Sequence, residues 1–202
     1  AASSSYYNSV NIGLPIATYV LGDATFVVPA LVLQMAVLSP IVIAGLDRGA
    51  KGVGNSVVAG LTAPVVVAAF AGFAVSASSW TVPEPVLAPL EILGGASIPL
   101  ILMSFGASLT GEKVLQSHRG PTITATALKL VGMPAVAWVV ATLLGLNGQE
   151  MYAALILCAL PTAQNVYNYA ATYRSGEVIC RDTVFLTTFL ALPAMLLIAG
   201  MF

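Results

Sequence analysis

Seven apolar stretches follow one another along this chain, at roughly 4–21, 24–46, 56–78, 83–109, 120–146, 150–171 and 178–202. A helix that spans a bilayer needs about 20 predominantly apolar residues, and each stretch comes close to that length. Short polar segments separate them, such as "DRGAKGVGN" (47–55), "TGEKVLQSHR" (110–119) and "YRSGEVICRD" (173–182). With 7 Lys and Arg and 8 Asp and Glu in 202 residues, there is too little charge to coat a soluble globule. A mean hydropathy of +0.95 agrees. The expected fold class is therefore an all-α integral membrane protein seated in a lipid bilayer. Pro29, Pro40, Pro64, Pro99, Pro134 and Pro193 lie inside spans, where kinks are tolerated if neighbouring groups re-satisfy the backbone.

Charge placement orients the spans. With seven crossings, the loops at 47–55, 110–119 and 172–182 share one side and hold Arg48, Lys51, Lys113, Arg119, Arg174 and Arg181. The loops at 22–23, 79–82 and 147–149 hold no Lys or Arg. By the positive-inside rule the first group is cytoplasmic and the C-terminus lies outside, in a multi-pass protein of the plasma membrane. A net charge of −1 gives no field to gather nucleic acid, so none is expected as a partner. Cys158 and Cys180 fall in unlike segments, so neither a disulfide nor a metal site is expected. No cofactor is implied.

An internal repeat narrows the class. "NIGLPIATYVLGD" (11–23) aligns with "NVYNYAATYRSGE" (165–177) at a constant offset of 154. Asn11 meets Asn165, Ala17-Thr18-Tyr19 meets Ala171-Thr172-Tyr173, and Gly22 meets Gly176. The copies run in opposite directions through the membrane, which is a signature of secondary transporters. Each copy opens on a span interrupted by polar residues and proline, "NSVNIGLP" in one and "LPTAQNV" in the other. Such paired interruptions point to a site near the midplane, because a broken helix exposes backbone groups inside the bilayer. Half-helix N-termini carry partial positive charge and can hold an anion, while Asn and Gln amides add neutral donors and acceptors. If the repeat unit has five spans, 56–202 is one complete unit and 1–46 the last two spans of another, joined by a cytoplasmic loop at 47–55. The opening "AASSSYYNSV" is not a signal peptide, and the chain is expected to begin partway through a ten-span protein.

At these residues the sequence resembles the auxin efflux carrier family, which includes plant PIN carriers and bacterial permeases. The matching stretches are "NSVNIGLP" (8–15), "LVLQ" (31–34), "LGGASIPLILMSFGASL" (93–109) and "ALPTAQNVYNYAATY" (159–173). The resemblance implies a ten-helix fold of two inverted five-helix repeats, of which this chain covers helices four to ten. It also implies two broken helices that cross near the membrane centre and an elevator-like movement of a small organic anion such as malate, malonate or an auxin. It places Asn8, Gly13 and Pro15 in the first crossover, Pro161, Gln164 and Asn165 in the second, and Gln34 beside the pocket. The neighbouring Asn11, Thr162 and Asn168 complete the expected substrate-binding set.

Two charges lie deep in spans. Lys129 is about nine residues into the fifth, roughly 13 Å at 1.5 Å per residue, and Glu91 sits at comparable depth in the antiparallel fourth. A structural Lys129–Glu91 ion pair is expected in preference to substrate coordination. An enzyme is not: the sequence has no His-Glu-x-x-His helix, no Gly-x-Ser-x-Gly elbow and no intramembrane Asp pair. The leading expectation is a secondary transporter, with a homodimer as its candidate assembly. The competing one is a truncated, non-transporting subunit that assembles with or regulates a full-length relative.

Overall fold

A computed structural model of the chain describes residues 2–47, 58, 61–62, 64–78, 80–108, 110 and 113–202. Among them the ordered elements are helices, joined by one isolated β-bridge. Three helices among the described residues are long and apolar enough to cross a membrane: Val28–Leu46, Arg119–Leu143 and Glu177–Ala199. Each lies within four residues of an apolar stretch read from the sequence. The fourth stretch forms the 25-residue helix Glu84–Ser108. Of the third, the structure describes the helix Pro64–Ala77. The expected loop at 47–55, with Arg48 and Lys51, lies almost entirely outside the described residues.

The chain divides into two compact units. One comprises Ala1–Leu31 with Gly111–Phe202, and the other Val32–Thr110. In the second unit the helix Pro64–Ala77 packs on the turn Gln34–Leu38. Large apolar side chains such as Phe73, Ile92, Leu93 and Met103 are exposed there, an arrangement that costs free energy in water and none in hydrocarbon.

The first unit has the buried core. Ala17, Leu21 and Val27 pack with Ala153, Ile156, Leu157 and Leu160 of the helix Gln149–Ala159 and the turn after it, and with Ala191 and Met195 of the helix Glu177–Ala199. Small residues at 17, 153, 159 and 191 let the backbones approach closely, which is what holds helices together where lipid offers no hydrophobic drive.

Proline shapes three helices in the same way. A proline lacks an amide and its ring crowds the carbonyl four residues back. The π-turns Ser9–Gly13, Gln34–Leu38 and Leu128–Gly132 are each followed two residues later by Pro15, Pro40 or Pro134. The wider π-turn shifts bonding to the fifth residue, as in the bond from the Gly13 amide to the Asn8 carbonyl at 2.8 Å. Asn11, Gln34 and Lys129 lie one on each of these turns.

Candidate transport site

The first and sixth apolar stretches are not continuous helices. After the short helix Ala2–Ser5 the chain is irregular at Tyr6–Asn8, then turns into Ser9–Gly13 and the helix Leu14–Tyr19. The sixth stretch breaks at Leu160–Ala163, between the helices Gln149–Ala159 and Gln164–Thr172. Pro161 dictates the second break: the residue before a proline is pushed to extended geometry, and Leu160 has φ −56° and ψ 147°.

The two breaks meet. Tyr7 and Thr162 form an antiparallel β-bridge. The Asn8 amide donates to the Pro161 carbonyl at 2.8 Å, and the Ala163 amide to the Tyr6 carbonyl at 3.4 Å. The Thr162 hydroxyl donates to the Ser3 carbonyl at 2.7 Å, and its amide to the Thr187 hydroxyl at 3.1 Å. Backbone groups that two broken helices strand inside a bilayer thus find one another, which is the condition for irregular backbone at that depth.

Polar side chains gather around the bridge. The Asn11 amide nitrogen donates to Gln164 Oε1 at 3.2 Å, joining the two stretches. Asn8 Oδ1 accepts from the Asn11 backbone amide at 3.2 Å, and Asn8 is buried. Gly13 is needed for space rather than for its dihedrals: a Cβ there would lie 3.0 Å from Leu160 Cδ1 and 3.2 Å from the Asn8 carbonyl oxygen. Pro15 opens the helix Leu14–Tyr19, where its missing amide costs nothing. Asn165 and Asn168 are half-buried on the helix Gln164–Thr172, and their side chains bond to no described residue. That helix has no side-chain cap at its N-terminus.

Lys129 is fully buried. Its ammonium donates to the Cys158 carbonyl at 3.0 Å and sits 5.4 Å from the centroid of the Tyr7 ring. Tyr7 lies in the first break, and Cys158 is in the last turn of its helix, two residues before the second. Glu91 is exposed within the second unit. Gln34 is buried in that second unit, where the Ser39 hydroxyl donates to its carbonyl at 3.1 Å.

Sequence reasoning did not single out Ser3, Tyr7 or Thr187. Thr183 and Thr187 recur four residues apart in an apolar stretch, so their spacing on one helical face was the available signal. Beside the crossing, a cavity of about 410 Å³ is lined by Tyr7, Phe26, Ala153, Leu157 and Cys158 among others, with Glu150 also in its wall.

A family model described as membrane transport protein matches residues 53–199 of the chain. The chain belongs to that family, the auxin efflux carriers. The matched region holds the second break and Lys129. An uncharacterized transporter of Methanocaldococcus jannaschii is 28% identical over 107 residues, 53% of this chain. That match spans 34% of the relative's own length. Both comparisons support a role in membrane transport.

Proposed function

We propose that this auxin efflux carrier family protein moves a small organic anion, a carboxylate of the malate, malonate or auxin type, across the plasma membrane by alternating access, with the crossing as its site. One observation carries the reading: the two broken stretches bridge at Tyr7 and Thr162 and bring the amides of Asn8, Asn11 and Gln164 together. Neutral amides and the uncapped start of the helix Gln164–Thr172 offer hydrogen-bond donors and a partial positive charge. These suit a carboxylate that must also leave again, since a binding site in a carrier cannot be a trap.

The antiparallel sense of the bridge supports two inverted repeats, with 56–202 as one of them and 1–46 contributing to the other. The C-terminus lies outside, and the assembly is a homodimer. The purified protein in proteoliposomes is expected to accumulate at least one of radiolabelled malate, malonate and indole-acetate above empty vesicles. Folded protein that moves none of the three would count heavily against a carboxylate substrate.

A further inference from the structure

The end of the helix Gln149–Ala159 poses a problem that the transport reading does not use. In an uninterrupted helix the Cys158 carbonyl would accept from the amide four residues on, that of Thr162. That amide is bonded to the Thr187 hydroxyl instead, at 3.1 Å. Pro161 has no amide to offer the Leu157 carbonyl, which takes a 3.4 Å bond from Leu160. The Cys158 carbonyl would be stranded, in a medium with no water to serve it.

Lys129 serves it. The residue comes from a different helix, Arg119–Leu143, through the π-turn Leu128–Gly132. Its ammonium is 3.0 Å from the Cys158 oxygen, with the Tyr7 ring 5.4 Å away. A cation suits the C-terminal, negative end of a helix, and an aromatic face adds attraction where water is absent. Within its own unit, a helix end and an aromatic ring therefore face the Lys129 charge. One ammonium therefore links the first break to the helix end beside the second.

We infer that Lys129 is the positioning residue of the crossing: it replaces the amide that the Pro161 break takes from Cys158, ties that helix end to Tyr7, and so holds Gln164 within reach of Asn11. The inference concerns the geometry of the crossing. Its consequence for uptake rests on the transport reading.

The geometry can be read without any substrate. In a Cys158→Ser, Cys180→Ser background carrying Asn11→Cys and Gln164→Cys, a short bis-methanethiosulfonate should bridge the two thiols. Lys129→Met is expected to slow bridging at least about tenfold, the effect of losing one hydrogen bond to a charged donor. Lys129→Arg, which keeps charge and donors, should bridge close to the parent rate. Each variant is first shown to be monodisperse by size exclusion. Should the Met variant fail to fold, Lys129→Gln, which keeps a donor without the charge, takes its place and should also be slow. A folded Met or Gln variant that bridges at the parent rate overturns the inference. So does an Arg variant as slow as Met, because shape rather than a charged donor would then be what matters. In uptake, the same positioning role raises KM in the Met variant and leaves it near normal in the Arg variant. Because bridging needs no substrate, a failed uptake assay would count against the transport reading and not against this role.

Discussion

Replacing Asp182 with alanine is expected to destabilise the protein by about 3–5 kcal/mol, the range for stranding one partner of a buried ion pair. Asp182 is completely buried and Arg181 nearly so. Asp182 Oδ1 accepts from Arg181 Nε and Nη2, both at 2.9 Å. Its other oxygen accepts the Leu115 amide at 2.9 Å, where Leu115 holds a left-handed φ of 64°. The substitution therefore takes the Asp182 carboxylate from a buried guanidinium and from the Leu115 amide. The double variant Arg181→Leu with Asp182→Leu should recover part of the loss, because a buried pair is hardly more stabilising than apolar residues of similar size, while the Leu115 amide stays without that acceptor. Thermal unfolding in detergent checks both. A single variant as stable as the parent, or a double as damaged as the single, would contradict the assignment.

Pro161→Ala should abolish most transport and leave the fold standing. Proline inside a helix costs about 3 kcal/mol relative to alanine, so its removal favours a helix running on from Gln149 through Thr172. Leu160 would leave its extended conformation, and the Thr162 amide could return to the Cys158 carbonyl. Against that gain stand the bonds from the Asn8 amide to the Pro161 carbonyl and from the Thr162 amide to Thr187. The two effects oppose each other and are of similar size, so the unfolding midpoint should move little. Uptake should fall about a hundredfold, the scale of loss when groups at a working site shift by roughly 1 Å. Uptake at the parent level would show that the break is dispensable.

The sequence carried the three long apolar helices because hydropathy is a long-range average, and it carried the second break because Pro161 acts on its own neighbours. The repeat aligned Asn11 with Asn165, whereas the side chain that Asn11 reaches across the crossing is Gln164. Other parts were less legible. The first break falls at Tyr6–Asn8, ahead of Pro15, since Pro15 opens a helix there and widens the turn before it. Arg181 read as a charge of the loop 173–182, whereas it lies buried in the helix Glu177–Ala199, paired with its own neighbour. No pattern in a linear sequence marks two adjacent opposite charges as buried. Lys129 was visible as a deep cation, but the backbone carbonyl that it reaches has no residue type to search for. The kinks expected at Pro40 and Pro134 are π-turns, a local remedy that depends on which carbonyl the ring displaces.

One titration tests the central claim, that the crossing is where the anion is held. KM for a transported carboxylate is measured in proteoliposomes of the parent and of Gln164→Leu, matched for folded protein. Leucine removes the acceptor of the Asn11 amide and a donor from the site, a loss worth about 1–3 kcal/mol. The account predicts a KM raised about tenfold or more, with the maximal rate changed far less. An unchanged KM in the Gln164→Leu carrier would contradict it.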